Sequence, residues 1–364
     1  MSQIIHVITT IDNGGAEKQL LTLAREQSLL GNSIEVIPLK GNLELENNFI
    51  ENNIKVNKHL INQNPIIQIL KFRKYLDKNH LKNSVVHAHL PRAELFTRFA
   101  IHKQKFVITR HNSEKFIPNG SRLISSYVSR KVTDRSSTCI AISNAVKFFL
   151  IQNNEIRDSA KIMVIHYGYM PMPKKSRKTL ISNDFTQKKK SNAMVIGTIT
   201  RLEPQKDVTT LLKAMSLIAK EYGFFKLMIV GAGSMESGLR ELCNDLNVSE
   251  VVIWLGRTSD VYRYLSQFDL FVLSTNYEGF GLVLLEAMQC RLPILASNNS
   301  SIPEVLGEDS FSLFKTGDFH QLANKILTML DPKKRLSLAR SNHARLKLFD
   351  PKLMSKKVME IYSR

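Results

Sequence analysis

The chain has 364 residues, of which 43% are hydrophobic, and carries 51 Lys and Arg against 32 Asp and Glu, a formal charge of +19 at pH 7. That length predicts roughly two domains of about 150 residues or more, and the ordinary apolar share excludes a disordered chain. The start MSQIIHVITTIDNGG has no basic n-region, and nowhere do about eighteen apolar residues run together, so neither a signal peptide nor a membrane span is expected.

In chain order, IIHVITT reads as a strand, followed by a Gly-Gly turn, a helical AEKQLLTLAREQSLLG and a second strand, SIEVIPL. The β-rich runs VVHAH, FVIT, TCIAIS and IMVI follow, separated by helical patterns. The second half repeats the scheme with AMVIGTIT, FKLMIV, VVIWLG, DLFVLS and LPILAS, without a fixed-period repeat. Near-continuous apolar strands alternating with helices indicate parallel sheets covered on both faces, hence two doubly wound α/β domains in tandem. Between the halves lies MPMPKKSRKTLISNDFTQKKKSN, poor in apolar residues. The expected division is a first domain over 1–175, a basic linker over 176–192, a second domain over 193–345 and a C-terminal helix over 346–364 that can return to the first domain.

The charge is uneven. Residues 1–170 hold 23 Lys and Arg against 13 Asp and Glu, a balance of +10, whereas 171–192 carry +6 and 193–364 only +3. The first half and the linker therefore face something anionic: nucleic acid, phospholipid headgroups or a phosphorylated substrate. Basic residues interleaved with aromatics, or a known nucleic-acid module, are not found, so no nucleic-acid partner is expected. Cys139, Cys243 and Cys290 lie far apart and offer neither a disulfide framework nor zinc spacing, which fits a reducing cytosol.

Doubly wound sheets bind ligands beyond the C-terminal ends of their strands, so residues that follow strands carry the most information. Gly14 and Gly15 close the first strand and open a helix, where bare amides favour an anion; a simple tight turn is the plain alternative. Arg201 and Lys206, in GTITRLEPQKD, can converge on one diphosphate or be ordinary surface cations. The helix start near Gly281, Leu282 and Val283 could hold the same phosphates. His87, His89 and His111 end or follow strands, where they can touch a substrate or serve as hydrogen-bonded core. In NYEGFGLVLLEAMQC, Glu278 sits beside two glycines and Glu286 interrupts an apolar run. On a helix, Glu286 would have Leu282, Val283, Gln289 and Cys290 on its face, and a carboxylate there needs a hydrogen-bonding partner such as a ligand hydroxyl. No D-x-D, P-loop or serine-hydrolase signature occurs, and no metal ligand set is predicted.

With these residues in view, the chain resembles, over almost its full length, the retaining, nucleotide-sugar-dependent glycosyltransferases of GT-B fold, glycosyltransferase family 4. The resemblance is strongest in VVIWLGRTSDVYRYLSQFDLFVLSTNYEGFGLVLLEAMQCRLPILASNNSSIPEV, which holds the family's Glu–seven residues–Glu signature as Glu278 and Glu286. TRLEPQKD, GAGSMESGLREL and NGGAEKQ resemble its phosphate-binding, G-x-G and first-domain glycine segments. The resemblance implies two Rossmann-like domains facing across a cleft, the first on the acceptor side and the second binding the nucleotide-sugar. It implies that Glu286 accepts from the ribose hydroxyls, that Glu278 and His111 lie by the donor sugar, and that Arg257 falls where the main chain reads the base. Arg201, Lys206, the Gly281–Val283 amides, Gly14 and Gly15 would meet the donor diphosphate, with no metal and no cofactor.

Two departures stand out. Thr200 replaces a Gly that commonly precedes the Arg, and SNNSSIPEV has Asn and Ser where one or two glycines usually stand. The implied reaction moves a sugar from a UDP-sugar to a glycan acceptor, polyprenyl-diphosphate-linked, in bacterial O-antigen or capsule assembly, at the inner face of the cell membrane. A related nucleotide-sugar epimerase or hydrolase, and a non-catalytic basic binding protein, are the alternatives. In NPIIQILKFRKYLDKNHLKN, Ile66, Ile69, Leu70, Leu76 and Leu81 are expected on one face, interleaved with Lys71, Arg73, Lys74, Lys78 and Lys82. That helix could cover its own sheet or set its basic side against anionic lipid.

Overall fold

The computed structural model describes residues 3–78, 81–170, 172, 193–222 and 224–364. The expected linker, 176–192, lies outside them. The described residues form two parallel sheets, one in each of two compact units: Met1–Met170 with Phe349–Arg364, and Pro171–Leu348.

The first unit has seven strands, β1 (Gln3–Ile8), β2 (Ser33–Pro38), β3 (Lys55–Val56), β4 (Val85–His89), β5 (Lys105–Arg110), β6 (Thr138–Ala141) and β7 (Ile162–Val164). Their order is β3-β2-β1-β4-β5-β6-β7. All neighbours pair in parallel, so each connection must cross over through a helix and bury both faces. Ile4, Ile5, Val7 and Ile8 are accordingly fully buried. The strand order reverses between β1 and β4, which makes their C-terminal ends the place for a ligand. Beside that point, Arg110 closes β5 as a buried cation. Its Nε lies 2.8 Å from Glu94 Oε2 and its guanidinium donates to Glu155 Oε2 at 2.9 Å and to Ser129 Oγ at 2.9 Å.

The chain returns to this unit through a C-terminal helix, Pro351–Ser363, started by Asp350, whose carboxylate accepts from the Lys352 amide at 2.9 Å. Met354, Val358, Ile361 and Tyr362 join the core with Leu20, Leu21, Leu23 and Ala24 of the helix Gly15–Leu29. The helix Pro65–Leu76 differs from expectation. Gln68, Phe72 and Leu76 face the sheet, while Ile66 and Leu70 are 69% and 58% exposed. Its rotation is set by Gln68, whose amide donates to the carbonyls of Leu39 at 2.9 Å and Leu60 at 2.6 Å, and by Phe72 stacking on Phe96. A buried side chain that satisfies two loop carbonyls outweighs the burial of one more Ile.

The second unit has six described strands, β8 (Met194–Ile199), β9 (Phe225–Val230), β10 (Val252–Trp254), β11 (Leu270–Leu273), β12 (Ile294–Ser297) and β13 (Leu313–Phe314), in the order β10-β9-β8-β11-β12-β13. Here the reversal falls between β8 and β11. Past β8 the chain keeps running beside β9: the amides of Thr200 and Leu202 donate to the carbonyls of Val230 and Ala232, both at 3.0 Å. This needs Gly231, whose φ of +146° suits only glycine and where a Cβ would run into the Thr200 carbonyl oxygen. Gly231→Ala should therefore destabilise the chain by about 2–3 kcal/mol or more, read as a lower guanidinium midpoint. A loss below about 0.5 kcal/mol would show that the 200–202 segment does not depend on that close approach.

Candidate active site

In the second unit, the loop after β8 and the loop after β11 are sewn together by hydrogen bonds. Thr275 Oγ1 donates to a carbonyl, with those of Gln205 and Tyr277 each 3.0 Å away, and the Asn276 amide donates to the Gln205 carbonyl at 2.8 Å. Gln205 Nε2 donates to the Tyr277 carbonyl at 2.9 Å, and the Ser301 hydroxyl donates to the Glu278 carbonyl at 3.0 Å. The outcome is that the Lys206 ammonium sits on the Glu278 carboxylate as a largely buried ion pair. Arg201, exposed on the same loop, donates to Gln205 Oε1 at 3.3 Å. Four predicted positions, Arg201, Lys206, Glu278 and the helix start at Gly281, thus share one end of this sheet.

Gly281 caps the helix Leu282–Gln289 in the left-handed region, φ +83°, a conformation for which glycine carries no steric cost. The helix buries Leu284, Leu285, Ala287 and Met288, while Leu282, Val283, Glu286, Gln289 and Cys290 line a half-buried face. Glu286 therefore lies on a face that water or a ligand hydroxyl can reach, beside largely apolar neighbours. Its field is felt nearby. Burial first, then the Glu286 charge, pushes the Cys290 thiol up to about 12 and raises the Tyr262 hydroxyl as well. Arg257 is exposed and follows Gly256, whose carbonyl accepts from the Gly231 amide at 2.8 Å.

The remaining predicted residues lie in the first unit. Gly14 precedes the helix Gly15–Leu29, and the carboxylate of Glu17 folds back against it, accepting from Thr10 Oγ1 at 2.7 Å. An internal anion thus stands at the helix start where a phosphate was expected. His87 and His89 are fully buried, and a third histidine, His6 of β1, pairs in register with His87. His89 bridges His6 and His111 at 3.0 and 3.1 Å, while His87 meets the Tyr362 and Thr109 hydroxyls at 2.6 and 2.7 Å. Burial lowers the pKa of His6 to about 4 and that of His111 to about 3, and holds His87 and His89 well below the usual range. All four rings are neutral at pH 7. His6, His87 and His89 bring ring nitrogens within 4.8 Å of one another, but every one of those nitrogens already has a hydrogen-bond partner. A metal ion would have to displace the bonds that hold the rings.

Sequence reasoning missed Gln205, Ser301, His6, Gln27, whose Oε1 meets His6 Nε2 at 2.8 Å, and Tyr167, whose hydroxyl meets His111 Nδ1. Of these, only His6 left a signal, as the one polar residue inside the apolar run of β1. The others act through loop contacts or strand register that no local spacing reveals.

A model of glycosyl transferases group 1 matches residues 181–345, and one of glycosyltransferase family 4 matches 13–170. The N-acetyl-alpha-D-glucosaminyl L-malate synthase of Bacillus anthracis is 25% identical over 264 residues, 71% of this chain and 66% of that protein. The N-acetylgalactosamine-N,N'-diacetylbacillosaminyl-diphospho-undecaprenol 4-alpha-N-acetylgalactosaminyltransferase of Campylobacter jejuni is 28% identical over 204 residues, 55% of this chain and 53% of that protein. The chain thus spans two thirds or less of these relatives. The crystal structure of Anabaena HepE in complex with UDP superimposes with a TM-score of 0.82 and 21% identity, covering 99% of both chains. One such model falls on each unit, and the fold is shared end to end with a solved structure: the chain is a glycosyltransferase of GT-B fold and family-4 type.

Proposed function

We propose that this glycosyltransferase is a retaining, metal-independent hexosyltransferase that takes a UDP-sugar and extends a polyprenyl-diphosphate-linked glycan in bacterial surface polysaccharide assembly. The observation that carries the reading is the Lys206–Glu278 pair at the switch point of the second unit, beside the start of the helix Leu282–Gln289. As the bond from the sugar carbon to the diphosphate oxygen breaks, negative charge grows on the leaving group. Fixed cations and amides stabilise that charge most, because they need no reorganisation at the moment of reaction. Lys206 has three donors, so it can keep Glu278 while taking a phosphate oxygen. Arg201 adds a fork from the same loop, and the amides near Gly281, Leu282 and Val283 add a helix start. Glu278 then lies one lysine away from the phosphates and meets the donor sugar, Glu286 accepts from the ribose hydroxyls, and His111 is proposed separately as a donor-sugar contact of the first unit. Arg257 marks the main chain that meets the base. Gly14 and Gly15 enter only if a phosphate displaces the Glu17 carboxylate. HepE was crystallised with UDP, and the Campylobacter relative is named for a diphospho-undecaprenol acceptor, which supports both substrate classes.

Incubated with UDP-sugars, the protein should release UDP in EDTA only when a glycan acceptor is added. Release without acceptor would favour a hydrolase, and full loss in EDTA with recovery in magnesium would remove the fixed-charge mechanism. Arg201→Ala or Lys206→Ala should cost roughly a hundredfold in turnover, close to 3 kcal/mol.

Steady-state kinetics of the two glutamates separate their roles. Glu286→Ala should raise the donor KM by about tenfold with kcat little changed, whereas Glu278→Ala should lower kcat by about a hundredfold. Near-native kcat/KM in both variants would refute the site.

We place the protein on the cytoplasmic face of an anionic membrane. No helix of the described residues is long and apolar enough to cross a bilayer. Support comes from the first unit, where exposed Ile66, Ile67 and Leu70 adjoin exposed Lys71, Lys74 and Lys78. Each such Lys contributes about 1 kcal/mol near an anionic surface, within a Debye length of about 10 Å at 0.1 M salt. Replacing Lys71, Lys74 and Lys78 by Gln should release the protein from phosphatidylglycerol vesicles in sedimentation and spare activity on a soluble acceptor. Equal sedimentation of the native chain with neutral and anionic vesicles would defeat this placement.

A further inference from the structure

Behind His111 runs a line of buried polar groups that the transfer reaction has not yet used. β1, β4 and β5 lie side by side in parallel, and the rings of His6, His89 and His111 follow one another across them, tilted, with centroids 5.2 and 5.3 Å apart. Gln27 Oε1 meets His6 Nε2 at 2.8 Å, His6 Nδ1 meets His89 Nε2 at 3.0 Å, and His89 Nδ1 meets His111 Nε2 at 3.1 Å. The line ends where His111 Nδ1 meets the hydroxyl of Tyr167.

The direction of every proton in this line follows from its first member. A carboxamide oxygen only accepts, so His6 carries its proton on Nε2. A neutral ring then has a bare Nδ1, which obliges His89 to donate from Nε2, and the same step obliges His111 to donate from Nε2. Nδ1 of His111 is left as an acceptor, and the Tyr167 hydroxyl donates to it. The Gln27 amide is turned this way by its Nε2, which donates to the Tyr362 hydroxyl at 3.4 Å, on the helix Pro351–Ser363. A charged ring would donate from both nitrogens and reverse the direction of every bond beyond it, so the order depends on neutral rings, which burial favours.

The geometry points to a positioning role: Gln27, His6 and His89 form a one-way hydrogen-bonded chain that holds His111 in its Nε2–H tautomer. Once Tyr167 gives way, Nδ1 accepts a hydrogen bond from a donor-sugar hydroxyl. This rests on the reading that His111 meets the donor sugar. Its consequence is chemical selectivity, because a bare ring nitrogen welcomes a hydroxyl and repels a phosphate or carboxylate, which carry no proton to give. His6 and His89 act through His111 and touch no substrate.

Ring 15N–1H correlation spectra of the full chain at pH 7 test the chain directly. Nε2–H signatures for His6, His89 and His111 are expected in the native protein, and an Nδ1–H or charged His111 overturns the proposal. His6→Gln can donate to Gln27 and accept from His89, so His111 should keep its tautomer. His6→Phe leaves His89 without an acceptor, so His111 should populate both tautomers and kcat should fall roughly tenfold, with His6→Gln restoring most of it. A merely structural His6 would lower the melting temperature in His6→Phe without moving the His111 signature, and that result also overturns the proposal. Should His6→Phe fail to fold, the native and His6→Gln spectra decide alone. His111→Ala tests the underlying reading separately: undiminished turnover there removes the donor-sugar contact, whatever tautomer the spectra report.

Discussion

A parallel sheet covered by helices on both faces leaves its strands no solvated side, and most of this molecule follows from that constraint. The middle of each strand must be apolar, as in β1, where Ile4, Ile5, Val7 and Ile8 are fully buried. Charged groups are then pushed to the strand ends, where loops and helix starts can satisfy them. Because the strand order reverses once in each sheet, the loops beside that reversal diverge and leave room for a ligand. Lys206, Glu278 and Gly281 stand at such a point in the second unit, and His89 in the first, with His111 following the next strand.

The exceptions are the polar groups that remain inside. Arg110, Glu94 and Glu155 place one cation against two carboxylates at the end of β5, with Ser129 and the Phe116 amide completing the cluster. Burial raises the Glu94 carboxyl to about 7, more than its attraction to Arg110 lowers it. Breaking such a cluster leaves an uncompensated buried charge, so the end of β5, and with it His111, is held firmly. The histidines follow the same rule with neutral groups. Each ring nitrogen of His6, His87 and His89 has a partner, and their hydroxyl and amide partners come from distant segments, Tyr362 among them. The C-terminal helix therefore does more than cover apolar surface: it brings the hydroxyl that orients Gln27.

The second unit solves a different problem. A lysine and a glutamate that lie largely buried at one end of this sheet must coexist without collapsing the loops. Pairing Lys206 with Glu278 neutralises both, while the loop backbone is carried by Thr275, Asn276, Gln205 and Ser301. The loop backbones therefore do not depend on the charged side chains.

The amino-acid sequence by itself determined the two α/β halves, every described strand except β3 and β13, and the helix that carries Glu286 after Glu278 and Gly281. Those signals are local: strand composition, a glycine before a helix, a charge inside an apolar run. Two-residue β3 and β13 left no such signal. The rotation of the helix Pro65–Leu76 was misread, because Gln68 looks polar in the sequence and is buried only for the sake of the Leu39 and Leu60 carbonyls, which belong to other loops. Tertiary structure alone decided that Lys206 lies on Glu278, 72 residues apart, and that His6 and His111 are joined through His89. Strand register and loop contacts make such neighbours, and both depend on how whole elements pack, which no short stretch of sequence encodes.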